Sequence, residues 1–76
     1  MNENRFGEWL RSKRLDLGLT MVEFSKAVGV SYVSISNVEL GKTIPGMYFL
    51  RKLETYLGIE YIELRRILKG EEPNGD

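Results

Sequence analysis

The stretch that most limits what this chain can fold into is TMVEFSKAVGVSYVSISNVE, residues Thr20 to Glu39. Thr20 stands three residues before Glu23, a T-x-x-E spacing in which hydroxyl and carboxylate each satisfy a backbone donor that a helix's first turn leaves unpaired. A helix therefore starts there. Phe24 and Val28, four apart, share one face, and small Ser25 and Ala27 beside them leave room for another helix to approach. Gly29 can take the left-handed backbone that ends a helix, Val30 is an apolar plug, and Ser31 is the next residue able to cap. A second short helix begins at Tyr32, directs Ile35 and Val38 inward and closes at Leu40 and Gly41. Tyr32, Val33, Ser36 and Asn37 fall on its other faces, free to touch something else. The β-branched run YVSISNV would suit a strand in isolation, but its flanks decide for helix.

Glycines frame the rest of the chain. Gly18, Gly29, Gly41, Gly58 and Gly70 each follow an apolar-periodic stretch and precede a capping residue or a polar loop, and five stops imply five helices. The first, from about Asn4 to Leu17, carries Phe6, Trp9, Leu10, Arg14 and Leu17. The fourth, about Gly46 to Leu57, buries Leu50, Leu53 and Leu57, and the fifth, about Glu60 to Lys69, uses Tyr61, Leu64 and Leu68. No stretch sustains the alternation of a strand. The expected fold class is all-α, one compact domain over residues 1–70, followed by a disordered acidic tail, 71–76, that carries Glu71, Glu72 and Asp76.

A chain of 76 residues is small. It buries only roughly 60% of its unfolded surface, so a second subunit covering more of it would add stability. The absence of cysteine and histidine excludes disulfides, the usual zinc spacings and the commonest catalytic bases and nucleophiles. With no phosphate-cradling glycine loop either, the expectation is a non-enzyme without a cofactor. The N-terminus lacks the apolar segment of a signal peptide, and no run approaches the roughly 20 apolar residues of a membrane span, which suits a cytoplasmic chain with no membrane partner. Eleven basic and 11 acidic residues cancel, an unusual balance for a nucleic-acid binder. All 11 cations lie at or before Lys69, however, against 8 of the acids, so residues 1–70 carry +3.

The segments SKRLDLGLT, Ser12 to Thr20, and GVSYVSISNVELGKTIP, Gly29 to Pro45, resemble those of the lambda-type repressor and Cro family, the XRE-type helix-turn-helix regulators. The resemblance runs from about Phe6 to Leu68. It implies a five-helix lambda-repressor-like domain whose second and third helices form the helix-turn-helix. In that family the start of the third helix and the turn after it reach base edges in double-stranded DNA, and the matching positions here are Tyr32, Val33, Ser36 and Asn37. A carboxamide such as Asn37 can pair bidentately with adenine N6 and N7, and Val33 suits a thymine methyl. Tyr32 could reach a base edge, a methyl or a phosphate. Phosphate contacts are implied for Lys13, Thr20, Met21, Ser31, Ser34, Lys42 and Thr43, which stand at or beside helix N-termini or in the loop after the third helix.

Two departures stand out. Where the family usually has a phosphate-bonding glutamine this chain has Met21, which cannot donate that bond and leaves either a weaker clamp or an apolar contact in its place. Ile44 and Gly46 occupy loop positions where arginine or lysine often stands. The resemblance further implies a partly buried ion pair between Arg14 and Glu39, and core or interface packing for Trp9.

The function implied is a sequence-specific transcription regulator, a repressor that binds a near-palindromic operator as a homodimer with half-sites about 34 Å apart. Its expected dimer surface is the apolar remainder of the last two helices, Met47, Tyr48, Ile62 and Ile67. One alternative keeps the DNA-binding fold but makes the chain an antitoxin or a restriction-modification controller, with a toxin or protein antagonist as partner. Another, favoured by the charge balance and by Met21, is a protein-interaction module without specific DNA binding.

Overall fold

A computed structural model of the protein describes residues 4–70; the acidic tail expected at 71–76 lies outside them. Each local signal produces its element. Helix α1 spans Asn4–Asp16, α2 Met21–Val28, α3 Tyr32–Glu39, α4 Met47–Leu57 and α5 Tyr61–Leu68, and there is no strand among the described residues. The capping box forms: Thr20 Oγ1 accepts from the Glu23 amide at 3.1 Å, and Glu23 Oε1 accepts from the Thr20 amide at 2.9 Å. Gly29, at φ +91°, stops α2 in the left-handed region, where a Cβ would meet its own carbonyl. The other four punctuating glycines also have positive φ.

The helices close around one core of Phe6, Leu10, Phe24, Val28, Ile35, Val38, Phe49, Leu50, Leu53, Leu64 and Ile67. Helix α1 packs against α3 and α5, α2 against α3 and α4, and α4 against α5. Helix α3 is thus backed on one side by α1 and on the other by α2, which fixes its orientation while leaving its outer face uncovered.

Several side chains differ from their expected places. Leu17 falls in the turn after α1 and is half exposed, because the helix ends at Asp16. Leu57 is only partly buried; Phe49, one residue from Leu50, fills the core in its place. On α5 the stripe runs through Leu64 and Ile67, with Leu68 and Tyr61 at its margin. Ile67, expected on the dimer surface, is only 5% exposed, so it cannot supply a free interface. The reason is geometric: α5 touches both α1 and α4, and a helix with two neighbours buries a wider arc than one apolar stripe.

Candidate nucleic-acid interface

The uncovered face of α3 is built from its cap outward. Ser31 adopts extended backbone, its Oγ accepts from the Ser34 amide at 3.0 Å, and its hydroxyl donates to Ser34 Oγ at 2.9 Å. Both expected phosphate-contacting serines are thus drawn together at the N-terminus of α3, with Ser31 exposed and Ser34 half buried. Tyr32 and Val33 follow, 46% and 61% exposed. Ser36 and Asn37 lie one turn further on, half buried, and among the described residues neither side chain has a hydrogen-bond partner. A carboxamide without an internal partner keeps both its donor and acceptor capacity for a ligand.

Asn37 also lines a cleft of about 200 Å³ together with Ser34, Val38 and Phe49, closed on the far side by Thr43, Ile44, Pro45 and Gly46 of the loop before α4. The loop therefore stands beside α3, with Lys42 and Thr43 exposed. Thr20 is exposed at the N-terminus of α2. Its Oγ1 accepts a bond within the capping box but still has its own hydrogen to donate. Met21 is half buried and packs against the core, an apolar brace at the position where the family usually has a phosphate-bonding glutamine. The Lys13 ammonium lies 5.8 Å from the Trp9 ring centroid on α1.

The electrostatics of the face are unusual. From Ser31 to Gly46 the charged residues are Glu39 and Lys42, and Glu39 is buried. Its carboxylate takes two hydrogen bonds from Arg14, Nε to Oε2 at 2.7 Å and Nη2 to Oε1 at 3.0 Å, while Arg14 Nη1 donates to the Leu19 carbonyl at 2.9 Å. The bond to Glu39 raises the Arg14 guanidinium above its ordinary pKa despite burial, so the pair stays charged. The outer surface of α3 is left as hydroxyl, carboxamide and hydrocarbon, with Lys42 as its one neighbouring cation in that segment.

An amino-capped, two-sidedly braced short helix presenting free polar groups behind a tight glycine turn is a geometry for insertion into a groove. A helix-turn-helix family model matches residues 10–64, which takes in all of α2, α3 and α4. The chain belongs to the lambda repressor and Cro-like, XRE-type helix-turn-helix family. That family consists of DNA-binding transcriptional regulators, and helices α2 and α3 are its motif in this chain. Comparison with curated proteins and with solved structures finds no match.

Of the residues expected at the dimer surface of this helix-turn-helix protein, Met47, Tyr48 and Ile62 are 63%, 68% and 59% exposed. The Lys52 ammonium lies 5.4 Å from the Tyr48 ring centroid. Sequence reasoning passed over Gly7, which lies where α1 crosses the last turn of α3. Its signal was available: a glycine inside a helical pattern, serving no cap, costs about 1 kcal/mol relative to alanine and marks a close approach. No described helix is long and apolar enough to cross a membrane.

Proposed function

We propose that the protein is a repressor that binds a near-palindromic operator as a homodimer, with α3 in the major groove of each half-site. The observation that carries this reading is the Asn37 carboxamide, without a partner among the described residues, on a helix tied from behind by the Arg14–Glu39 pair. Asn37 reads adenine, Ser36 adds a hydroxyl contact, and Val33 with Tyr32 meets thymine methyl groups. Thr20, Ser31, Ser34, Lys42 and Thr43 hold the phosphates on either side of the groove, through hydroxyls, exposed amides and one ammonium. Met47, Tyr48 and Ile62 join two copies across the dyad. A repressor of this design acts by occupying a promoter.

The test is selection from a randomised duplex pool at about 150 mM salt, a condition that suppresses sequence-independent binding. Wild type and Asn37→Ala are run in parallel. The expected result is an inverted repeat with half-site centres about 10 base pairs apart, relaxed at one base pair by the variant. A second reading, a protein-docking face, is favoured by the hydrocarbon exposed at Val33, Ile44, Met47 and Tyr48 and the scarcity of cations beside it. An unenriched wild-type pool selects that reading and overturns the first.

A further inference from the structure

Gly7 is the fourth residue of α1, and its position against α3 leaves no room for a side chain. A Cβ there would lie 2.3 Å from the Val38 carbonyl oxygen, 2.7 Å from that of Glu39 and 2.9 Å from the Glu39 carbonyl carbon. All three are backbone atoms, so no change of rotamer relieves the clash. Phe6 and Leu10, on either side, are fully buried and keep α1 from rolling away. Two turns further along the same helix, Arg14 grips Glu39 through both carboxylate oxygens. The last turn of α3 is therefore located by two contacts from α1: a backbone-to-backbone stop at Gly7 and a charged tether at Arg14. Asn37 lies within this turn, and among the described residues its side chain has no hydrogen-bond partner.

From this arrangement we infer that Gly7 is a positioning residue for DNA reading: it sets the depth at which α3 presents Asn37. The inference rests on the proposal that α3 enters the major groove. An ordinary Cβ contact begins at 3.4 Å, so a methyl group at residue 7 displaces the end of α3 by about 1 Å. A hydrogen bond of about 2.9 Å does not survive a displacement of that size, whereas apolar contact with a methyl group tolerates more of it. Tyr32 and Val33 stand at the opposite end of α3, close to the Ser31 cap and away from the contact. The effect of a side chain at residue 7 consequently falls on the base pair that Asn37 reads before any other, since Ser36 in the same turn adds a single hydroxyl contact.

The experiment uses the full chain as wild type, Gly7→Ala, Asn37→Ala and the double variant, with folding confirmed by circular dichroism. Each is titrated with the selected operator and with operators altered at one base pair at a time. Gly7→Ala is expected to lose about tenfold in affinity, to relax discrimination at the base pair that Asn37→Ala also relaxes, and to add no further loss in the double variant. Additive losses, a uniform loss at all positions, or unchanged affinity in folded Gly7→Ala overturn the inference. Should Gly7→Ala fail to fold, Glu39→Gln loosens the same turn from its other anchor. Relaxation confined to the Asn37 base pair then supports the inference, and a uniform change or none overturns it. A wild type that enriches no sequence overturns the DNA reading and this inference together. Enrichment by the wild type with an indifferent Gly7→Ala overturns this inference alone.

Discussion

Arg14 and Glu39 face each other across the α1–α3 crossing with two hydrogen bonds, of 2.7 and 3.0 Å, and both residues are buried. The pair ties α3 to α1 at the end remote from the N-terminal cap of α3. Two desolvated charges of this kind gain little net stability, but either one left alone is costly. Arg14→Ala is expected to lower unfolding free energy by about 3–5 kcal/mol, read by urea denaturation. Replacing both partners, Arg14→Met with Glu39→Leu, recovers most of that loss; a double variant as unstable as Arg14→Ala would contradict the assignment.

The caps of the motif helices give a smaller and separable effect. Thr20→Ala removes one half of the capping box and Ser31→Ala removes the acceptor for the Ser34 amide, each at a cost of about 1 kcal/mol. Urea denaturation reads both. Thr20→Ser retains the hydroxyl and is expected to stay close to wild type.

How these elements end was legible in the sequence because it is decided locally. A hydroxyl three residues before a carboxylate, or a glycine after an apolar stretch, needs no tertiary neighbour to act, and Thr20, Ser31, Gly29 and Gly58 cap as read. The widths of the buried faces were not legible. Whether Leu64 is joined in the core by Ile67 or by Leu68 depends on α5 having two neighbours at once, which the periodicity of α5 alone does not encode. Phe49 and Gly7 belong to the same class, since each answers to a helix distant in sequence. At the reading face, the identities of the outward residues were legible from the helical wheel. The absence of a partner for Asn37 among the described residues and the packing of Met21 against the core were not.

Burial separates the two isoleucines of α5. Ile67→Ala is expected to cost about 2–5 kcal/mol in urea denaturation, because it opens a cavity in the core. Ile62→Ala and Tyr48→Ser change monomer stability by no more than about 0.5 kcal/mol. Sedimentation equilibrium distinguishes their role: if these exposed side chains join two copies, Tyr48→Ser shifts the dimer toward monomer while Ile67→Ala in its folded range does not.

Glu54 links α4 to α5. Its Oε1 accepts from Arg51 Nη1 at 3.0 Å and its Oε2 from the Tyr61 amide at 3.0 Å, while the Arg51 guanidinium stacks 4.1 Å from the Tyr61 ring centroid. The Arg51 bond first, and the Tyr61 amide second, hold the Glu54 carboxyl below its ordinary pKa. A carboxyl depressed by folding contributes stability above its unfolded pKa and loses it as pH falls through the folded value. The α4–α5 junction is therefore expected to weaken in the acid range, below the ordinary carboxylate pKa of about 4.3. Unfolding free energy against pH, compared between wild type and Glu54→Gln, checks this. The variant should show a shallower acid limb, and an identical one would count against the link.

The sparse charge beside α3 predicts the salt response of the complex. Each phosphate neutralised contributes a slope of about −0.9 in log affinity against log salt. Lys42, with no ion-pair partner among the described residues, is the cation nearest in sequence to the reading helix. Lys42→Ala is expected to flatten the slope by about 1 per bound chain, with sequence preference retained. An unchanged slope would place the phosphate contacts elsewhere.

On the proposed function, the uncharged outer face of α3 is the surface that meets DNA. Its most direct test is a backbone and side-chain amide NMR titration of the isotopically labelled protein with the selected operator duplex. The largest shifts are expected on the Asn37 carboxamide and on the amides of Tyr32 to Asn37, with smaller ones at Thr20, Lys42 and Thr43. Shifts concentrated on α4 and α5, with the Asn37 carboxamide unmoved, would contradict it.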